Sequence, residues 1–118
     1  MSVTDRDCIF CRIVAGEVPS TTVRTTDHTV AFRDLNPQAP VHVLVIPRRH
    51  VDNAAALTHG DAAMLADLFV AARRVAEDEG VADSGYRLVF NVGDDGGNTV
   101  AHLHLHVLGG RQMGWPPG

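Results

Sequence analysis

The chain has few cysteines, no long apolar run and no excess of positive charge, and each shortage removes a class of protein. Two cysteines among 118 residues cannot build the disulfide framework of a small secreted scaffold. No stretch approaches the roughly 20 apolar residues that span a bilayer, so no membrane contact is expected. The opening MSVTDRDCIF is acidic and polar and lacks the basic region and apolar run of a secretory signal, which makes the cytoplasm the expected location. A formal charge of −4 argues against a nucleic-acid partner, because phosphate backbones are held mainly by clustered Lys and Arg. A local anion site remains open, since backbone amides and histidines can build one without net charge.

What is present suits one soluble domain. The composition is 45% hydrophobic and 20% charged, with neither an internal repeat nor a low-complexity linker, so a single domain over 1–118 is expected, with a flexible N-terminus over about 1–6. Cys8 to Ala15 places apolar residues at helical spacing, and Gly16 and Pro19 stop it. Thr22–Thr26 and Thr29–Arg33 alternate as a hairpin about Asp27-His28. His42–Ile46 is a nearly continuous β-branched run that suggests a strand buried on both faces. One long helix is expected from about Gly60 to Glu79, with Leu65, Leu68, Phe69, Ala72 and Val75 or Ala76 on its buried stripe and Gly80 just past its end. Tyr86–Val92 and His102–Leu108 read as strands joined by the turn-rich GDDGGN. Strands grouped around one long helix give an α+β class: an antiparallel sheet covered on one face.

The chemistry concentrates in a row. His102, His104 and His106 are three of the seven histidines, and alternate with Leu103, Leu105 and Val107. In a strand, residues two apart share a face at roughly 6.5–7 Å, so the imidazoles line one side while the apolar side packs beneath the helix. Three imidazoles need hydrogen-bond partners and do not make an ordinary core. Such a row is a chance set of surface histidines, a three-histidine metal site, or a nucleophilic centre built on a neutral imidazole. The preceding Gly93–Thr99 favours the last, because its backbone amides, carboxamide and hydroxyl are all donors to phosphate oxygens. Cys8 and Cys11 at C-x-x-C spacing, with His50 after a strand, raise a separate question: a metal site, or two small buried apolar residues.

The run His102–Leu108 fits the pattern His-φ-His-φ-His-φ-φ, where φ is apolar. Around it stand Asp34-Leu35-Asn36-Pro37-Gln38-Ala39-Pro40, His42, Ile46-Pro47-Arg48-Arg49-His50, Gly109-Gly110-Arg111-Gln112-Met113 and Trp115-Pro116-Pro117-Gly118. With these flanks the chain resembles the Hint branch of the histidine triad superfamily from about Ile9 to its last residue. The resemblance implies the fold of that superfamily and a homodimer with a continuous intersubunit sheet. It implies His104 as the nucleophile, attacking the α-phosphorus of a purine nucleotide conjugate (AMP or GMP) to give a covalent nucleotidyl-histidine. His106 would hold a phosphate oxygen, His42 would help orient the imidazoles, and His102 completes the triad. Asn91, Gly97, Asn98 and Thr99 match the phosphate-binding positions, with Thr99 standing where a serine is usual. Asp34 matches the ribose-binding carboxylate and Leu35 lines the same pocket. Ile9, Phe10, Ile13, Val18 and Phe32 match the walls of the purine slot, although read alone they are plain core.

The implied activity is hydrolysis of purine nucleoside phosphoramidates and related adenylates, with no cofactor for catalysis. The alternatives are a nucleotide-binding adaptor with incidental turnover, or a dinucleoside polyphosphate hydrolase. The tail 109–118 would contribute to the partner subunit's site, and Gly114, where many relatives carry histidine, leaves leaving-group preference open. Some relatives bind structural zinc with residues that match Cys8, Cys11, His50 and His102, so the same four are the candidate zinc ligands. In that role His102 orients structure and is not a proton carrier in the reaction.

Overall fold

The structure, a computed structural model, describes residues 7–118. The flexible segment expected over about residues 1–6 lies outside the described residues. Helix α1 (Ile9–Val14) begins at Cys8, whose sulfur accepts the Cys11 N–H. It ends where Gly16 takes φ +78°, with Gly16 N–H donating to Ile13 O and Glu17 N–H to Arg12 O. Those paired bonds form a Schellman cap, which needs a left-handed residue at its turn. Helix α2 (Ala62–Asp78) ends in the same way: Gly80 has φ +78°, Gly80 N–H donates to Glu77 O and Val81 N–H to Ala76 O. Its start is later than the expected Gly60. A 3₁₀ turn over His59–Asp61 precedes it, held by a capping box in which Thr58 Oγ1 accepts the Gly60 N–H and the Asp61 carboxylate accepts the Thr58 N–H.

Five strands, β1 (Thr22–Thr25), β2 (Thr29–Arg33), β3 (Val41–Pro47), β4 (Tyr86–Val89) and β5 (Leu105–Gly109), form one antiparallel sheet in the order β1-β2-β3-β5-β4. The α+β class expected from the sequence is the class observed. Three strands are shorter than expected: β1 by its last residue, and β4 and β5 by more. β4 stops at Val89 rather than Val92, and β5 starts at Leu105 rather than His102, so His102 and His104 precede the ladder. The intervening chain satisfies its backbone elsewhere: Gly97 N–H donates to Asp94 O, Asn98 N–H to Gly93 O, and Leu103 N–H to Val51 O.

The sheet is covered on both faces, not one. Val43 and Val45 of β3, Leu105 and Val107 of β5 and Ala31 of β2 pack with Leu68, Ala71, Ala72 and Val75 of α2. Leu44 and Ile46 of β3 and Val30 and Phe32 of β2 face the other way and pack with Cys8, Phe10 and Cys11 around α1. Period-two alternation assigns each strand residue to one core or the other, which is why β3 is buried on both sides. On α2 the buried stripe runs Leu68, Ala71, Ala72, Val75 and Ala76. Phe69, expected on that stripe, is 41% exposed and turns its ring edge-on to Phe90. Ala71, Ala72 and Ala76 are buried with Leu68 and Val75 on the helix face that meets the sheet. Among the described residues no helix is long and apolar enough to cross a membrane.

Leu68 is fully buried between α2 and the sheet. Leu68→Ala is expected to destabilise the fold by about 2–5 kcal/mol in urea denaturation, as for a leucine whose cavity cannot collapse. A loss below about 1 kcal/mol would mean that α2 does not pack as described.

Candidate active site

The α1 face of the sheet carries the even-numbered residues of β3 and β5, and four of the seven histidines gather on or beside it. Register places Leu44 opposite His106 and His42 opposite Leu108, so His42 and His106 are diagonal neighbours on one face. Diagonal positions lie within reach of long side chains, and here His42 Nε2 and His106 Nδ1 are 2.9 Å apart. His104 lies beside them, its ring centroid 5.0 Å from that of His106.

Each ring has a defined proton position. Gln38 N–H donates to His42 Nδ1 at 3.0 Å, which leaves the proton of a neutral His42 on Nε2. That Nε2–H donates to His106 Nδ1, and lies 3.4 Å from an Asp34 carboxylate oxygen as a weaker second acceptor. His106 therefore carries its own proton on Nε2. His104 is fixed from the opposite direction. Its Nδ1 is 2.7 Å from the His102 carbonyl oxygen, and a carbonyl only accepts, so Nδ1 is protonated and Nε2 holds the lone pair. Two adjacent imidazoles thus present opposite polarity, a donor on His106 and an acceptor on His104.

Burial keeps His42 and His106 neutral. It pushes the His106 pKa down to about 4, helped by the neighbouring His104 and His42 and opposed by Asp34. It also lowers the His42 pKa, against the pull of the Asp34 carboxylate. The Asp34–His42 contact is accordingly a carboxylate beside a neutral ring and not an ion pair at neutral pH.

A cavity of about 300 Å³ opens against His104 and His106. Of the residues expected at a nucleotide site, Ile9, Phe10, Ile13, Val18, Phe32, Asp34, Leu35, Asn91, Gly97 and Thr99 line it. Phe10 meets Phe32 edge-on at 5.4 Å and His104 at 5.3 Å between centroids, which joins the apolar slot to the histidines. Leu35 forms an exposed rim. Asn98 is not among the lining residues; its N–H closes the glycine loop onto Gly93 O. That loop needs glycine at 96, where a Cβ would meet Val92 O at 2.2 Å. Asn91 braces it by donating from Nδ2 to Gly96 O at 2.7 Å. Pro19, Ser20, Arg33, Leu44 and Val100 also line the cavity, and the sequence reading missed them. Leu44 had a signal, since it shares a face with His42; the others had none.

Behind the histidines is a second cluster. One ligand-type atom each from Cys8, Cys11, His50 and His102 lies within 4.8 Å of the rest. His102 Nδ1 is 3.2 Å from Cys8 Sγ and 3.5 Å from Cys11 Sγ, and His50 Nδ1 is 3.4 Å from Cys11 Sγ. Zinc bonds of about 2.3 Å to sulfur and 2.0–2.1 Å to nitrogen give a tetrahedral S···N edge of about 3.6 Å, close to these separations. The outer nitrogens agree. His102 Nε2 donates to Pro47 O at 3.0 Å, and His50 Nε2 to Asp52 Oδ1 at 2.9 Å, so both Nδ1 lone pairs face the sulfurs. Carbonyl and carboxylate partners on the far nitrogen are the usual support of a metal-bound histidine. The four residues fit a closed Cys₂His₂ zinc site.

The HIT domain family profile matches residues 15–113. The chain belongs to the HIT domain family. It is 45% identical to the 14 kDa zinc-binding protein of Zea mays over 117 residues, covering 97% of this chain and 90% of that one. A HIT family hydrolase from Legionella pneumophila superposes with a TM-score of 0.93 at 48% identity, over 95% of this chain and all of that one. A histidine triad nucleotide-binding protein from Candida albicans superposes with a TM-score of 0.79 at 29% identity, over 93% of this chain and 83% of that one.

The lowered pKa of His106 has a consequence for the fold of this HIT domain. An unfolded histidine takes up a proton near pH 6.5, whereas His106 in the folded chain holds out to about 4. The unfolded state thus binds more protons between these values, so stability is full above about pH 6.5 and falls as the pH drops toward 4. Denaturant melts at pH 7.5 and 5.5 should show this loss, and His106→Asn should reduce the slope. An unchanged slope in the variant would mean that His106 titrates normally.

Proposed function

We propose that this HIT domain hydrolyses purine nucleoside phosphoramidates and related adenylates through a covalent nucleotidyl-histidine on His104, as a member of the Hint branch. The observation that carries the reading is the forced tautomer of His104: its Nδ1–H is held by the His102 carbonyl, which leaves a lone pair on Nε2 beside a cavity with an apolar slot and a glycine-rich loop. A binding module needs no such nucleophile. The hydrolase and nucleotide-binding relatives point the same way.

The purine lies between Ile9, Phe10, Ile13, Val18 and Phe32. Asp34 accepts hydrogen bonds from the ribose hydroxyls; one of its oxygens already accepts the Asn36 N–H at 2.8 Å, and a carboxylate has lone pairs to spare. The second Nδ2 proton of Asn91 and the hydroxyl of Thr99 donate to the α-phosphate, Gly97 lines the same wall without a side chain in the way, and Asn98 holds their loop. His106 Nε2–H donates to a phosphate oxygen that gains charge as phosphorus becomes five-coordinate. His104 Nε2 attacks phosphorus in line, the N–P bond forms, and the substrate P–N bond breaks. The amine departs with that electron pair and takes a proton from solvent, passed on by the Thr99 hydroxyl, which is reprotonated by the same water. The imidazole is then cationic, and its Nδ1–H bond to the His102 carbonyl strengthens. Water attacks the nucleotidyl group in the second step, the His104–phosphorus bond breaks with its pair returning to Nε2, and AMP or GMP leaves with a proton released. Replacing one difficult displacement by two easier ones is the gain of a covalent route.

The active form is a homodimer. Among the described residues none of 109–118 lines the cavity of its own chain, although Arg111 Nε donates to Gln38 O and Gly114 O accepts from Arg87. Trp115 is 84% exposed, as suits a tail that completes the site of the partner copy. Cys8, Cys11, His50 and His102 hold a structural zinc, which when bound supplies a closed tetrahedral link and no open position for water. The reaction uses no metal at phosphorus.

Steady-state hydrolysis of a fluorogenic adenosine phosphoramidate tests the reading. His104→Ala should lower kcat by about three orders of magnitude or more while AMP still binds, since losing a covalent nucleophile removes the route itself. Near-native kcat in that variant would overturn the nucleophile.

A further inference from the structure

We infer that the Cys8–Cys11–His50–His102 centre positions the nucleophile, because His102 offers its Nδ1 to the metal cluster and its carbonyl oxygen to His104 Nδ1. The inference rests on the proposed role of His104. It concerns what sets that ring in place.

The argument starts from where the ladder ends. β5 pairs from Leu105 onward, with Val45 opposite Leu105 as its first pair, so residues 102–104 have no strand partner to fix them. Outside the strands their backbone is tied to the rest of the fold by Leu103 N–H donating to Val51 O. Side chains add further anchors. His102 is completely buried, tied at Nε2 to Pro47 O and facing Cys8 and Cys11 at Nδ1. A nucleophile that must meet phosphorus within a few tenths of an ångström therefore depends on its neighbour's side chain.

The link has a second arm. Phe10 sits between the two cysteines in sequence, and its ring packs edge-on against both His102 and His104, with centroids 5.9 and 5.3 Å away. The same ring is a wall of the purine slot. Zinc held by Cys8 and Cys11 thus fixes Phe10 through α1 and fixes His102 directly. Without the ion, a thiol–imidazole hydrogen bond replaces two metal bonds, and both the carbonyl that selects the His104 tautomer and the ring that packs on it gain freedom. Misplacing a reacting group by about 1 Å can reduce a rate about 10²-fold.

The test compares the full-length protein loaded with zinc and stripped by chelator, both shown folded by near-ultraviolet circular dichroism. On ¹⁵N-histidine-labelled protein, the long-range proton–nitrogen spectrum reports the His104 tautomer, assigned with His104→Ala. Stripping zinc should erase the single Nδ1–H signature of His104 and lower kcat about 10–100-fold for the fluorogenic phosphoramidate, with one equivalent of zinc restoring both. A purely structural ion would lower the melting temperature and leave kcat and the signature unchanged, which would overturn the inference. So would a protein that takes up no zinc. His50→Asn, which removes the ligand at the edge of the cluster, covers the case in which the stripped chain unfolds: kcat and the His104 signal should then rise together along one zinc titration, and activity independent of zinc would again overturn it. A loaded protein without turnover whose His104 signal still follows zinc would sink the hydrolase reading and support the coupling.

Discussion

A carbonyl oxygen accepts hydrogen bonds and never donates them, and the site depends on that asymmetry at His102. Because this carbonyl faces His104 Nδ1 at 2.7 Å, the proton of a neutral His104 has one place to go and its lone pair the other. A backbone amide does the converse at His42. Gln38 N–H occupies Nδ1, which sends the His42 proton toward His106 and the His106 proton outward. Two short hydrogen-bond chains, each starting from a backbone group that cannot change its role, end side by side with opposite polarity. Burial holds His42 and His106 neutral, so that their chain of donors persists at neutral pH. Attack on phosphorus needs this combination of a lone pair and an adjacent donor.

The fold supplies the framework for both chains. β3 and β5 are adjacent inner strands of the sheet, and their register makes His42 and His106 diagonal neighbours. Their odd-numbered partners sit under α2 and pack with its Leu68, Ala71, Ala72 and Val75. Helix α1 closes the opposite face and doubles as a wall of the cavity, so ordering the N-terminal segment and shaping the slot are one event.

Much of this was legible in the residue pattern. The alternation of His102, His104 and His106 with Leu103, Leu105 and Val107 assigned two faces, and the apolar set does lie under α2. Gly16 and Gly80 marked both helix ends because each cap needs a left-handed residue. Alternation does not report where a ladder begins, however. An extended chain keeps its period of two whether or not it has a partner, so the row looked like strand from His102 although pairing starts at Leu105. Phe69 was misplaced because a helical stripe about 100° wide admits either side of Leu68, and only packing against the sheet decides between a ring and a methyl group. The gathering of Cys8, Cys11, His50 and His102 followed the resemblance, not spacing, since 94 residues separate Cys8 from His102. Proton positions were beyond sequence altogether, because they depend on which nitrogen meets which backbone group.

The central claim is a covalent nucleotidyl group on His104, and stereochemistry at phosphorus tests it most directly. Each in-line displacement inverts the phosphorus centre, so two in succession restore it. A substrate made chiral at the α-phosphorus should give product with net retention of configuration. Net inversion would show that water attacks in a single step, and would leave His104 without the role that its geometry supports.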